Sequence, residues 1–353
     1  MLNRDFDVSD YYNDHPLSNG SYASSAIIRV CRYAFIALAV ITIVFSCGFF
    51  QKIHAADQEI SGTRSQLVKD PGFQPRLGTY YYCFEYNSMN LGTAWVSISR
   101  EGDEDFLMIV DCGYYQDRTG KWNAQAGQVI KTDLNGRILF TIGHPRTIGI
   151  YNDTEKFMPT ETAVAPNGDI YVADGYGSDY IIQYNSKGQY IRHFGGHNNS
   201  NKDHNLVNAH GVAIDKRDKN NPTLICTSRE ENCFKVFTLD GKFLHRIDTP
   251  GMYVCRAVPD GENIYAGVCW SKDEAGKRNA NTGFVTVLDA GNKVISNPGG
   301  NAPVYKGNTL QPTLQAPEKV FQHCHDVCVD EDKNLYICQW NANHSSPIKL
   351  TRV

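Results

Sequence analysis

The chain has 353 residues, room for one large domain or two ordinary ones. Its 38 acidic residues against 34 basic ones leave a net charge of -4, which argues against a nucleic-acid partner, since such binders carry a basic excess. With 30 Gly, 20 Tyr and 16 Phe the composition leans towards strands and tight turns, and 11 Cys are too few for a small disulfide scaffold.

Residues 1–25 are rich in Asp, Asn, Ser and Tyr, have no apolar period, and read as a disordered tail. The run 33–50 carries no charge over 18 residues, and with 26–32 it makes an apolar segment broken only by Arg29 and Arg32. That length predicts a transmembrane helix within 26–50, and the arginines on its N-terminal flank put the tail in the cytoplasm. An uncleaved anchor is favoured over a signal peptide: Ile53-His54-Ala55-Ala56 is a poor cleavage site, and the stretch before the apolar run is long for a signal. If it is cleaved, the protein is secreted. Residues 51–75 read as a polar stalk, with Gly62, Pro71 and Pro75 as breakers. The body, 76–353, would then stand outside the cytoplasm, where cysteines oxidise.

Within the body the sequence repeats. Segments 161–195 and 210–247 share one order, an alternating strand, a turn, a strand of the type IYVAD, a third strand, a Gly turn and a fourth strand, and 325–353 repeats the first three strands of it. A fainter copy lies in 256–296, and an early one ends at 128–143. The second turns are Asn135-Gly136, Lys187-Gly188 and Asp240-Gly241, each a hairpin signal. Four antiparallel strands repeated every 40 to 50 residues form a β-propeller blade, which cannot bury both faces alone and must stack on neighbours. Five units are countable. A sixth is expected within 66–105, giving a six-bladed, all-β propeller, with a strand from 76–90 completing the three-stranded last unit. Cys226 and Cys233, seven residues apart across a hairpin, are expected to form a disulfide. Alternation along 323–328 places Cys324, Asp326 and Cys328 opposite His323, His325 and Val327. Asn152, Asn198 and Asn343 begin glycosylation sequons.

The blade NGDIYVADGYGSDYIIQYNSKGQYIRHFG resembles the NHL repeat. More particularly, Ala173-Asp174-Gly175-Tyr176, His210-Gly211-Val212-Ala213-Ile214-Asp215, Ser228-Arg229-Glu230-Glu231-Asn232 and His325-Asp326-Val327 resemble the lyase domain of peptidylglycine amidating enzymes and its bacterial relatives. The likeness is good over 158–247 and 321–353 and poor over 252–320. It implies a metal, usually zinc, on the propeller axis, held by histidines of which His210 and His325 match two, with Asp326 following the second. It implies Tyr176 as base and Arg229 as a clamp for the carboxylate of a small hydroxylated substrate, with an amide and glyoxylate as products. Neutral imidazole suits zinc, a tyrosine beside a cation can serve as base, and the guanidinium fork fits a carboxylate. A third histidine is missing from register: Leu91-Gly92-Thr93-Ala94-Trp95 stands in its place, and His144 and His323 are off position. Asp326 or water is then the remaining ligand, and a non-catalytic propeller that binds a protein or small ligand is the alternative. His210 and His325 would equally serve as hydrogen-bonded channel histidines without metal.

Overall fold

The computed structural model describes residues 80–84, 94–101, 104–117, 119, 121–272, 277–342 and 347–352. The expected tail, membrane segment and stalk lie outside them. Among the described residues no helix is long and apolar enough to cross a membrane, and helix is limited to one 3-10 turn, Arg146–Ile148.

The fold is an all-β propeller in which five blades are detected among the described residues, not the six expected. Blade 1 takes up the strands assigned to a sixth. Tyr80–Phe84 and Ala94–Glu101 join Glu104–Asp111, Gln128–Asp133 and Ile138–Ile142 in one five-stranded sheet. Tyr80–Phe84 hydrogen-bonds to Ala94–Glu101 but also lies against the last blade, so it links the two ends of the repeat without forming a unit of its own. Blade 2 consists of Glu161–Val164, Ile170–Ala173, Tyr180–Tyr184 and Tyr190–Gly195. Blade 3 consists of Val212–Asp215, Thr223–Ser228, Cys233–Thr238 and Phe243–Asp248. In blade 4 the inner strand is split into Met252–Val254 and Val258–Asp260, both paired with Asn263–Lys272, followed by Phe284–Leu288 and Val294–Ser296. Blade 5 has the three strands read from the sequence, Cys324–Val329, Leu335–Gln339 and Ile348–Leu350.

The core lies between blades, as stacking requires. Alternate residues of one strand serve opposite neighbours: Val172 and Ile182 pack with Phe106, Met108 and Val129 of blade 1, while Tyr171 and Ile181 pack with Leu224 and Phe237 of blade 3. Two further layers join blades 3 to 4 and 4 to 5. The Gly turns fall where the repeat places them. Gly241 has φ 86, and a Cβ there would sit 2.5 Å from the Phe194 ring of blade 2, so both the turn and the blade contact require glycine.

The expected Cys226–Cys233 disulfide is absent; both thiols are free and buried. A four-residue loop, 229–232, sets the register of the hairpin: Ser228 opposes Cys233, and Cys226 opposes Lys235. The two cysteines are therefore diagonal, about 7–8 Å apart at Cα, beyond the usual span of a bridge. Burial pushes the Cys233 thiol up to about 12 and Cys226 higher still, which leaves both unreactive.

Candidate metal centre

The inner strands of blades 3, 4 and 5 carry one pattern. His210, Cys255 and His325 each stand five residues before an aspartate: Asp215, Asp260 and Asp330. Each lies at the axial end of its blade, and their ligand atoms all fall within 4.8 Å of one another. The two imidazoles meet edge to face, with ring centroids 5.0 Å apart. His210 and His325 are thus two blades apart and share a point, as their repeat positions predict. The third member is a cysteine from the intervening blade. Nothing in a search for histidines points to it; its one trace in the sequence is the spacing from Cys255 to Asp260, which equals that from His210 to Asp215.

Local structure aims these groups. Along blade 5 the register advances from Cys324 opposite Gln339 directly to Asp326 opposite Cys338, so His325 is the extra residue of a β-bulge. The simple alternation expected over 323–328 breaks at this residue. In blade 4 the split of the inner strand at 255–257 has the same effect on Cys255. Gly211 completes the close approach on the third side: a Cβ there would meet the Cβ of Arg256 at 2.4 Å.

Beside this cluster lies a second tier, one residue further along each strand. Arg256 donates to Asp326 through Nη2 at 3.1 Å, and its Nε makes ion-pair contacts of 3.0 Å with Asp326 and 3.7 Å with Glu161 of blade 2. All three side chains are buried. Burial pushes both carboxyls above their usual range against the opposing pull of Arg256. The expected ligand Asp326 therefore faces Arg256, and it is not one of the three clustered donors.

Electrostatics fit the trio for a soft divalent cation. Burial first, then the Arg229 charge, pushes both imidazoles well below their ordinary value, so they stay neutral with lone pairs to offer. Burial raises the Cys255 thiol, but a hydrogen bond from Cys269 and the Arg229 guanidinium outweigh it and hold Cys255 below the ordinary thiol value. Arg229 Nη1 lies 3.9 Å from Cys255 Sγ, and its Nε donates to Asn208 Oδ1 at 3.1 Å. Two neutral imidazoles and a thiol biased towards thiolate make a zinc-type donor set. Tetrahedral zinc keeps such donors about 3.5 Å apart, so binding would draw the trio in by about 1 Å.

Tyr176 reaches the same point, its hydroxyl 3.1 Å from His210 Nε2. The Asp174 carboxylate builds the turn that presents it, accepting from Met158 N at 2.6 Å, Ser178 N at 2.7 Å and Tyr151 Oη at 2.7 Å. Gly177 is obligatory there, because a Cβ would lie 2.2 Å from Asp174 Oδ1. Burial raises Asp174 to about 7. Tyr114 from a small hairpin of blade 1 covers Tyr176 edge-on at 5.5 Å. The off-register histidines go elsewhere. His323 Nε2 accepts from Asn281 N at 3.0 Å while Nδ1 lies 3.0 Å from Trp340 O, and His144 Nε2 lies 2.8 Å from Glu155 O.

Fold and site together define an all-β propeller with a three-donor cluster on its axis. No family model matches the sequence. A probable peptidyl-α-hydroxyglycine α-amidating lyase of Caenorhabditis elegans is 30% identical over 128 residues, 34% of this chain and 35% of that protein, so the match spans about a third of the relative's length. The chain is an NHL-type β-propeller resembling that lyase. Among solved structures, a Bacteroides caccae protein of unknown function is 12% identical with a TM-score of 0.40, covering 73% of this chain and 89% of that one. Virginiamycin B lyase from Staphylococcus aureus is 10% identical with a TM-score of 0.37, covering 74% and 92%.

Proposed function

We propose that the propeller is a metal-dependent carbon–nitrogen lyase resembling peptidylamidoglycolate lyase. It acts on a small hydroxylated, carboxylate-bearing substrate at the point shared by His210, Cys255, His325 and Tyr176. The observation that carries this reading is the convergence of the three donors with the Tyr176 hydroxyl. His210, Cys255 and His325 would hold zinc, and bound zinc supplies Lewis acidity for a substrate oxygen.

The chain's own groups account for the proton movements. Tyr176 stands where it can take the proton of the substrate hydroxyl. As the carbonyl of glyoxylate forms, the C–N bond breaks, its electron pair stays on nitrogen, and the same proton ends on the amide product. Atoms and charge balance without a further reagent. Arg229, expected as a carboxylate clamp, is only 2% exposed and already engages Asn208 and Cys255. Its charge serves the thiolate, and the buried Trp270 ring covers it at 5.5 Å.

The deciding experiment measures zinc in the purified full chain together with glyoxylate release from an N-acyl-α-hydroxyglycine. About one zinc per chain and turnover lost in Tyr176→Phe are expected. A protein that takes up zinc stoichiometrically yet releases no glyoxylate overturns the lyase. Membrane anchoring of the propeller through 26–50, facing out of the cytoplasm, belongs to the same reading and is tested by protease protection in sealed vesicles.

A further inference from the structure

His325 lies inside the strand Cys324–Val329, whereas His210 stands two residues before Val212–Asp215, in a segment, 205–211, that forms no strand. A ligand on such a segment is placed by whatever holds the backbone beside it. The local turn is tight. His210 N donates to Asn208 O at 2.7 Å, which leaves Ala209 at the centre of a three-residue turn.

Blade 2 grips both polar groups of Ala209. The Asp179 carboxylate accepts from its N–H through Oδ1 at 2.6 Å, and Thr160 Oγ1 donates to its carbonyl at 3.2 Å. Gly175 permits this approach, since a Cβ there would lie 2.3 Å from Ala209 O. Asp179 Oδ2 lies 3.2 Å from His197 Nδ1, a contact that holds the carboxylate with Oδ1 towards the Ala209 amide. Asp179 is buried and has φ 61, a left-handed backbone at the end of the turn that carries Tyr176. Its own N–H donates at 3.0 Å to the carbonyl of Asp174, the residue that builds this turn. On the other side of the grip, Asn208 holds Arg229 twice: its carbonyl accepts from Arg229 N and its Oδ1 from Arg229 Nε, both at 3.1 Å. One short path, from 174–179 to 208–210, therefore links Tyr176, His210 and Arg229.

We propose that Asp179, steadied by His197, is a positioning residue that sets His210 and Arg229 relative to Tyr176 across the boundary between blades 2 and 3. A carboxylate holds a buried amide more firmly than a neutral acceptor does. Groups that orient a metal ligand in this way change metal affinity by about 10- to 100-fold when removed. The purpose of the trio rests on the zinc-dependent lyase reading, but the contacts made by Asp179 do not depend on turnover.

Cobalt(II) titration of the full chain, followed through its visible bands, tests this together with residue-resolved hydrogen exchange of the metal-free protein. Asp179→Gly removes the carboxylate and accepts the left-handed backbone; it should weaken cobalt binding about tenfold or more and alter the bands. Asp179→Asn keeps one oxygen for the Ala209 amide and should stay within about threefold of the parent. Arg217→Met breaks the Asp215 salt bridge beyond the other end of the same inner strand, so it destabilises without touching the path and should keep the parent's cobalt affinity. Without metal, the parent's Ala209 amide should exchange about 100-fold more slowly than that of the exposed Asp203, and Asp179→Gly should remove most of that protection. Unchanged cobalt affinity and bands in Asp179→Gly, or an equal loss in Arg217→Met, overturns the proposal. If Asp179→Gly misfolds by its near-ultraviolet spectrum, or the parent takes up no cobalt, exchange in the parent decides, and a rapidly exchanging Ala209 amide overturns it. The expected cobalt and exchange behaviour without glyoxylate release would refute the lyase and leave Asp179 in its role.

Discussion

Replacing Arg256 with methionine removes the cation that lies between Glu161 and Asp326 and keeps most of the side-chain volume. The guanidinium makes two contacts to Asp326 at 3.0 and 3.1 Å and lies 3.7 Å from Glu161. The three side chains are 4%, 1% and 1% exposed, so solvent cannot take over the lost partner. Deleting one member of such a buried set leaves uncompensated charge and costs about 3–5 kcal/mol. For a propeller of this size that is a fall in melting temperature on the order of 10 °C. The second replacement is diagnostic. Asp326→Asn added to Arg256→Met removes the stranded carboxylate, and the double variant should recover at least half of the loss. Differential scanning calorimetry of parent, single and double variants provides the measurement. Because Arg256 follows Cys255 directly, the single variant should also bind zinc more weakly. If Arg256→Met melts within about 2 °C of the parent, or the double variant is no better than the single, the second tier is not holding the axis and the argument fails.

Cys255→Ser should lower zinc affinity by at least about 100-fold while the chain stays folded, since a hydroxyl is a poor zinc ligand; equilibrium dialysis with unchanged affinity would count against the third donor. Alkylation of the unfolded, unreduced protein should label both Cys226 and Cys233, and a peptide linking them in mass spectrometry would contradict the register. Asp174 has a folded pKa of about 7, raised by burial, against about 4 in the unfolded chain. The folded state thus holds the extra proton between these values, and the stability it contributes at low pH is lost as pH rises through about 7. The unfolding free energy of the parent from urea titration should drop between pH 5 and pH 8 by on the order of 2 kcal/mol more than that of Asp174→Asn; parallel pH dependences would refute the assignment.

Periodicity determined the class of fold without help. The Gly turns at 136, 188 and 241 and the alternating strands recur because every blade solves one packing problem, so local sequence suffices to recognise it. His210 and His325 stood out at equivalent strand starts, and Tyr176 and Arg229 through the resemblance to the amidating lyases in well-patterned blades. Three things waited for the tertiary structure. Blade count did, because whether Tyr80–Phe84 starts a unit or extends one depends on its pairing with Ala94–Glu101, a contact no local pattern encodes. The Cys226 and Cys233 thiols did, because a loop length shifts register by whole residues while leaving the spacing in sequence unchanged. Cys255 did as well. Its blade is split and weakly patterned, and a ligand is defined by where its sulfur points. Closing the ring brings three blades to one axis, and only that closure turns a buried cysteine near residue 255 into the neighbour of two histidines 45 and 70 positions away.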